Sequence, residues 1–133
     1  MKPLVLTLRT NPDERLDLSA LVPHRLAGRT AGEIARLELQ TGRQRITVGD
    51  IFRVRGGDPP YVRIEGGTDR LDQVGQDMAD GEIVVDGEVG SQAGRSMTGG
   101  RLVINGDAGR WAASGMRGGH IEIAGSEIGR AHV

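Results

Sequence analysis

Met78-Ala-Asp-Gly81-Glu-Ile-Val-Val-Asp-Gly87, Met97-Thr-Gly-Gly100-Arg-Leu-Val-Ile-Asn-Gly106 and Met116-Arg-Gly-Gly119-His-Ile-Glu-Ile-Ala-Gly125 are one phrase written three times. The methionines recur every nineteen residues, and Gly81, Gly100 and Gly119 keep the same interval, as do Gly87, Gly106 and Gly125. In each phrase two apolar residues flank one that can face the other way: Ile83 and Val85 about Val84, Leu102 and Ile104 about Val103, Ile121 and Ile123 about Glu122. That alternation is the signature of a strand with one buried face. A period this short cannot hold a helical hairpin with its turn, which takes roughly 33 residues or more in the common helical repeats. It fits one coil of a parallel β-helix, each coil advancing by about 4.8 Å, the ordinary strand spacing.

Glycines such as Gly87, Gly90, Gly94, Gly106 and Gly109 then fall at corners, and the repeated methionine is a flexible filler of the interior. Glycine-rich text can also be a linker, but a linker has no reason to hold methionine, Gly-Gly and β-branched residues in phase. The fold expected is mainly β. A small α+β segment over residues 1–65 leads into a right-handed parallel β-helix over residues 66–126, a single-stranded solenoid of about 19 residues per coil.

Outward from the repeat, Leu4, Leu6 and Leu8 share one face of a first strand, which Asn11-Pro12-Asp13 ends. Thr30-Ala-Gly-Glu33 is a capping-box pattern ahead of a short helix running to about Glu38, with Ile34 and Leu37 buried. The pairs Ile46/Val48, Phe52/Val54 and Val62/Ile64 read as strands, with Gly56-Gly57-Asp58-Pro59-Pro60 as the loop between the last two.

The composition restricts both core and chemistry. Among 133 residues there are 22 glycines but one Trp, one Tyr and one Phe, so stacked aliphatic side chains must fill the interior. Lys+Arg number 17 against 18 Asp+Glu, a net charge of -1 that offers no footprint for nucleic acid or an anionic membrane. Cysteine is absent, which excludes iron–sulfur ligation, thiolate zinc and disulfides on this chain and suits a cytoplasmic setting. No segment approaches membrane-spanning length, and the run after Met1-Lys2-Pro3 is too short for a signal peptide.

No catalytic, cofactor-binding or metal-binding residue is assigned. His24, His120 and His132 are not spaced as ligands, and His120 takes the lateral slot of Glu82 and Arg101. Ser114 lies in Ala-Ala-Ser-Gly-Met, which is not a nucleophile elbow. The Gly-Gly pairs lack the residues of a phosphate loop, and Asp77, Asp80, Asp86 and Asp107 suit turn capping better than calcium. Trp111 stands where earlier coils have Gln92 and Gln73, either an exposed anchor for a partner or packing against a neighbouring turn.

The run Gly81-Glu-Ile-Val-Val-Asp-Gly-Glu-Val-Gly90, with Met97-Thr-Gly-Gly100, Val103-Ile-Asn-Gly-Asp-Ala-Gly109, Trp111 and Gly115-Met-Arg-Gly-Gly119, resembles the C subunit of formylmethanofuran dehydrogenase. It looks closest to the bacterial form, found in the formyltransferase/hydrolase complex of methylotrophs. Leu26-Ala-Gly28, Glu33-Ile34 and Val48-Gly-Asp-Ile-Phe52-Arg-Val54 extend the resemblance through the N-terminal part, so that it runs to about Gly125. It implies a non-catalytic scaffold in one-carbon metabolism, holding subunits that work on the formyl group of a methanofuran-type carrier. Those partners would be amidohydrolase-like, molybdopterin-type and formyltransferase-like. A molybdenum or tungsten pterin and iron–sulfur clusters, where present, would belong to them.

A related β-helix closes the large subunit of glutamate synthase, so a fragment of that enzyme is an alternative, and a β-helix module binding a small ligand or carbohydrate is another. Where the next coil calls for glycine, Ile128 stands, and residues 127–133 read as a non-family tail matching one translated frame of a sequencing adapter. The expectation is an array cut short.

Overall fold

Leu4 and Leu6 stand in two apolar columns that run from the first strand to the last described one. The structure is a computed structural model describing residues 2–39 and 45–125, Pro59 by its backbone alone. Its elements are β1 (Pro3–Leu8), β2 (Leu16–Asp17), α1 (Pro23–Leu26), α2 (Ala31–Ala35), β3 (Glu38–Leu39), β4 (Ile46–Thr47), α3 (Val48–Ile51), β5 (Phe52–Arg55), β6 (Asp58–Gly67), β7 (Leu71–Asp72), β8 (Glu82–Gly87), β9 (Arg101–Ile104) and β10 (His120–Ile123). The main sheet has the order β10-β9-β8-β6-β1-β5, parallel throughout except where β5 meets β1.

Register places Leu4, Val62, Ile83, Leu102 and Ile121 in one column and Leu6, Ile64, Val85, Ile104 and Ile123 in the next. Every member is buried except Ile121 and Ile123, on the last described coil. Burying such a side chain contributes about 1.5–3 kcal/mol each, so these columns carry much of the stability.

The other sides of each coil stack too. Leu16 pairs with Leu71, and the amides of Gly90 and Gly109 donate upward to the carbonyls of Leu71 and Gly90. Val74, Ala93 and Ala112 form a buried column, with Gly94 N–H on the Val74 carbonyl and Ala113 N–H on that of Ala93, both at 2.8 Å. Thr98 N–H reaches the Met78 carbonyl at 2.9 Å and Arg117 N–H that of Met97 at 2.8 Å, so the repeated methionines lie over one another. Met78 and Met97 are buried; Met116 is half-buried.

Parallel stacking begins before the periodic text does. β1 and β2 lie on β6 and β7 as a further coil, although 58 and 55 residues separate their partners. Between β6 and β8 the step is 21 residues, with an irregularity at Glu65/Gly67. Those extra residues hide the interval upstream of Gly66.

Residues 23–39 and 45–57 stand outside the stack. They bring β5 antiparallel against the outer edge of β1, with α2 and α3 packed on β5. A paired and covered edge is how solenoid ends avoid strand addition. Thr30 and Glu33 form the expected capping box, Thr30 N–H donating to Glu33 Oε1 at 3.0 Å and Glu33 N–H to Thr30 Oγ1 at 3.2 Å.

Three local expectations are corrected. The helix ends at Ala35, since Glu38 and Leu39 pair antiparallel with Thr47 and Ile46. Val48 opens α3 and is not in a strand, because Thr47 and Asp50 cap a helical turn there. Asp58, Pro59 and Pro60 belong to β6, leaving Gly56-Gly57 as the loop.

The corner glycines answer to crowding. A Cβ on Gly106 would lie 2.5 Å from the Gly87 carbonyl oxygen, and one on Gly125 2.6 Å from that of Gly106. No side chain fits between coils at that corner. The expected tail, 127–133, lies outside the described residues.

Candidate functional site

The outward residues of the main sheet form an ion-pair lattice set by the same register. Tyr61, Glu82, Arg101 and His120 share a row. Arg101 reaches Glu82 at 3.2 Å and Glu122 at 3.0 Å, and His120 Nε2 lies 3.1 Å from Glu122. Hydrogen bonding to Glu122 raises the pKa of Arg101, and Arg101, then His120, lowers that of Glu122. Arg63 Nε donates to Asp86 at 2.7 Å, while Arg55 and Thr7 both donate to Glu65, at 2.7 and 2.9 Å. Exposed pairs of this kind stabilise little singly. They do engage most of the face's charges with one another, Arg53 being left out of the lattice among the described residues.

At the next corner Asp72 accepts from Arg15 Nε at 2.9 Å and from Ser91 N–H at 2.8 Å. The bond to Asp72 is the first reason that the pKa of Arg15 is raised.

The remaining flank consists of residues 72–80, 91–99 and 110–118, where left-handed backbone recurs in step. Gln73, Gln92 and Trp111 have φ of 60, 63 and 67°, and Gly75, Gly94 and Ala113 have 76, 69 and 62°. Such geometry is uncommon for residues other than glycine, and three sets of coil-to-coil bonds hold it here. Trp111 is 47% exposed, the one large exposed hydrophobic residue among those described.

The residues singled out in the sequence remain apart. His24 is exposed on α1 and His120 on β10; His132 lies outside the described residues. Ser114 is engaged through its backbone, its N–H donating to Trp111 and its carbonyl accepting from Ser96. Asp86 pairs with Arg63 and accepts from Asn105 Nδ2, and Asp77 lines a hollow with Ser96, Thr98 and Arg117. Among the described residues no three His, Asp or Glu side chains group as a metal site would require. Sequence reading missed the lattice and the Arg15–Asp72 link. The interval of nineteen could have placed Glu82 beside Arg101, but nothing local joins positions 57 apart.

No protein-family model matches the chain. The C subunit of the formyltransferase/hydrolase complex Fhc of Methylorubrum extorquens is 39% identical over 87 residues, 65% of this chain and 33% of that protein. The C subunit of the tungsten-containing formylmethanofuran dehydrogenase 2 of Methanothermobacter wolfeii is 35% identical over 94 residues, 67% of this chain and 35% of that protein. The chain thus spans about a third of the length of the curated relatives it matches. In the crystal structure of the FhcABCD complex from Methylorubrum extorquens with methylofuran, one chain superposes with a TM-score of 0.86 at 40% identity, covering 92% of this chain and 47% of that one. In sequence and in backbone, the protein is a homologue of the C subunits of the formyltransferase/hydrolase and formylmethanofuran dehydrogenase complexes.

Proposed function

We propose that the chain acts as a non-catalytic structural subunit of a complex that moves formyl groups between a methanofuran-type carrier, a pterin carrier and formate or carbon dioxide. One observation carries the reading: a solenoid with a side-chain-filled interior, whose backbone matches a chain of FhcABCD over nearly its whole described length. The stacked coils form a stiff rod with extended flanks, which suits holding other subunits at fixed separation. In this reading the catalytic groups, and any tungsten or molybdenum pterin and iron–sulfur clusters, belong to amidohydrolase-like, molybdopterin-type and formyltransferase-like partners. The reading also sets the complex in the cytoplasm; no helix among the described residues is long and apolar enough to cross a membrane.

The test is complementation. The other three subunits of the Methylorubrum extorquens complex are expressed without their own C subunit, with and without this chain. The reading expects co-elution in one species and recovered formyl transfer. Separate elution with no gain in activity would refute it.

A further inference from the structure

The flank built from residues 72–80, 91–99 and 110–118 is electrically divided. Its first coil carries Asp72, Asp77 and Asp80 and no basic residue, whereas the next two carry Arg95, Arg110 and Arg117 and no acidic one. Asp72 is engaged by Arg15. All three arginines are exposed, and none forms an ion pair among the described residues. The contrast is with the sheet face, where Arg55, Arg63 and Arg101 each hold a carboxylate.

Trp111 sits in this basic part. A bulky side chain at φ 67° is disfavoured, yet the backbone is fixed on both sides of it. Gln92 N–H donates to the Arg110 carbonyl and Ala113 N–H to that of Ala93, both at 2.8 Å. The half-exposed indole is therefore carried on a backbone tied to the preceding coil on both sides of it. Two hollows of mixed charge include the flanking arginines: Arg110 lines one with Arg15, Asp69, Glu88 and Asp107, and Arg117 lines the other with Asp77 and Thr98. Trp and Arg are the residue types most enriched at the energetic centres of protein interfaces, and guanidinium pairs with carboxylates in two-point geometry.

We propose that the basic part of this flank, residues 91–99 and 110–118, with Trp111 as its apolar anchor and Arg95, Arg110 and Arg117 as its charges, seats an acidic segment of another subunit. The inference rests on the scaffold reading above and adds to it the surface and the chemistry of the partner.

Binding of the purified chain to the other three subunits of the Methylorubrum extorquens complex, measured at low and high salt, tests it. Trp111→Ala and the pair Arg95→Glu/Arg117→Glu are each expected to weaken binding by about tenfold or more, with Trp111→Phe retaining most of it. Charge reversal should also flatten the salt dependence. Arg53→Glu, on the main sheet and likewise without an ion pair among the described residues, should stay within about twofold of wild type, and circular dichroism confirms that each variant is folded. If wild type binds and every variant binds equally well, the assigned surface is wrong while the scaffold reading stands. If wild type does not bind, the scaffold reading fails and takes this surface with it. If a single-stranded oligonucleotide competes at this flank, an acidic protein segment is the wrong occupant.

Discussion

Asp72 reaches one coil further along the chain to Ser91: its Oδ1 accepts from the Ser91 backbone N–H at 2.8 Å while its other oxygen holds Arg15 at 2.9 Å. One carboxylate thus ties the N-terminal coil to the repeat. Asp72→Ala should destabilise the protein by about 1.5–3 kcal/mol, the range for a hydrogen bond to a charged group. Arg15→Ala, at a largely exposed side chain, should cost less than about 1 kcal/mol. Urea unfolding of the two variants checks the order.

Ile83 and Leu102 are fully buried in one column whose last described member, Ile121, is only partly covered. Leu102→Ala and Ile83→Ala should each cost about 2–5 kcal/mol, and Ile121→Ala clearly less. Thermal denaturation should reproduce that gradient.

Gly106→Ala would drive a methyl to 2.5 Å from the Gly87 carbonyl, so neighbouring coils must part; the cost should be about 1–3 kcal/mol. Gly56→Ala meets nothing closer than 3.9 Å and should be close to neutral. Unfolding midpoints for the pair separate crowding from a general intolerance of alanine.

These variants follow from what was legible in the sequence and from what was not. Met78, Met97 and Met116 announced the coil because every turn from Gly66 onward solves the same packing problem with the same residues. The coil formed by β1 and β2 was illegible, since the 55–58 residues that separate its strands from their partners and the 21-residue step before β8 break the interval while leaving the stack intact. Val48 was misread because a two-residue alternation fits a strand, and only the Thr47–Asp50 cap reveals a helical turn. The exposed slot of Trp111 was visible from Gln73 and Gln92, but its left-handed backbone was not, because no glycine marks it.

Stability should fall in acid for an identifiable reason. The Thr30 backbone N–H, then the Thr30 side chain, lowers the pKa of Glu33, and Arg101 does the same to Glu122. A carboxyl whose folded pKa lies below its unfolded one stabilises the fold above the unfolded value, and that contribution disappears as pH drops through the folded value. Between about pH 7 and about pH 3 the unfolding midpoint should therefore decline. Glu33→Gln/Glu122→Gln should show a shallower decline, and an unchanged slope would remove these two groups from the explanation.

The absence of cysteine offers a direct probe of the stacked register. Val84 and Val103 face outward as partners on adjacent parallel strands, about 4.8 Å apart, within the Cα range a disulfide spans. Val84→Cys/Val103→Cys should oxidise readily to an intramolecular disulfide, whereas Val84→Cys/Asn105→Cys, two residues out of register, should not. Equal cross-linking of both pairs, or of neither, would contradict a solenoid in which residues nineteen apart lie over one another.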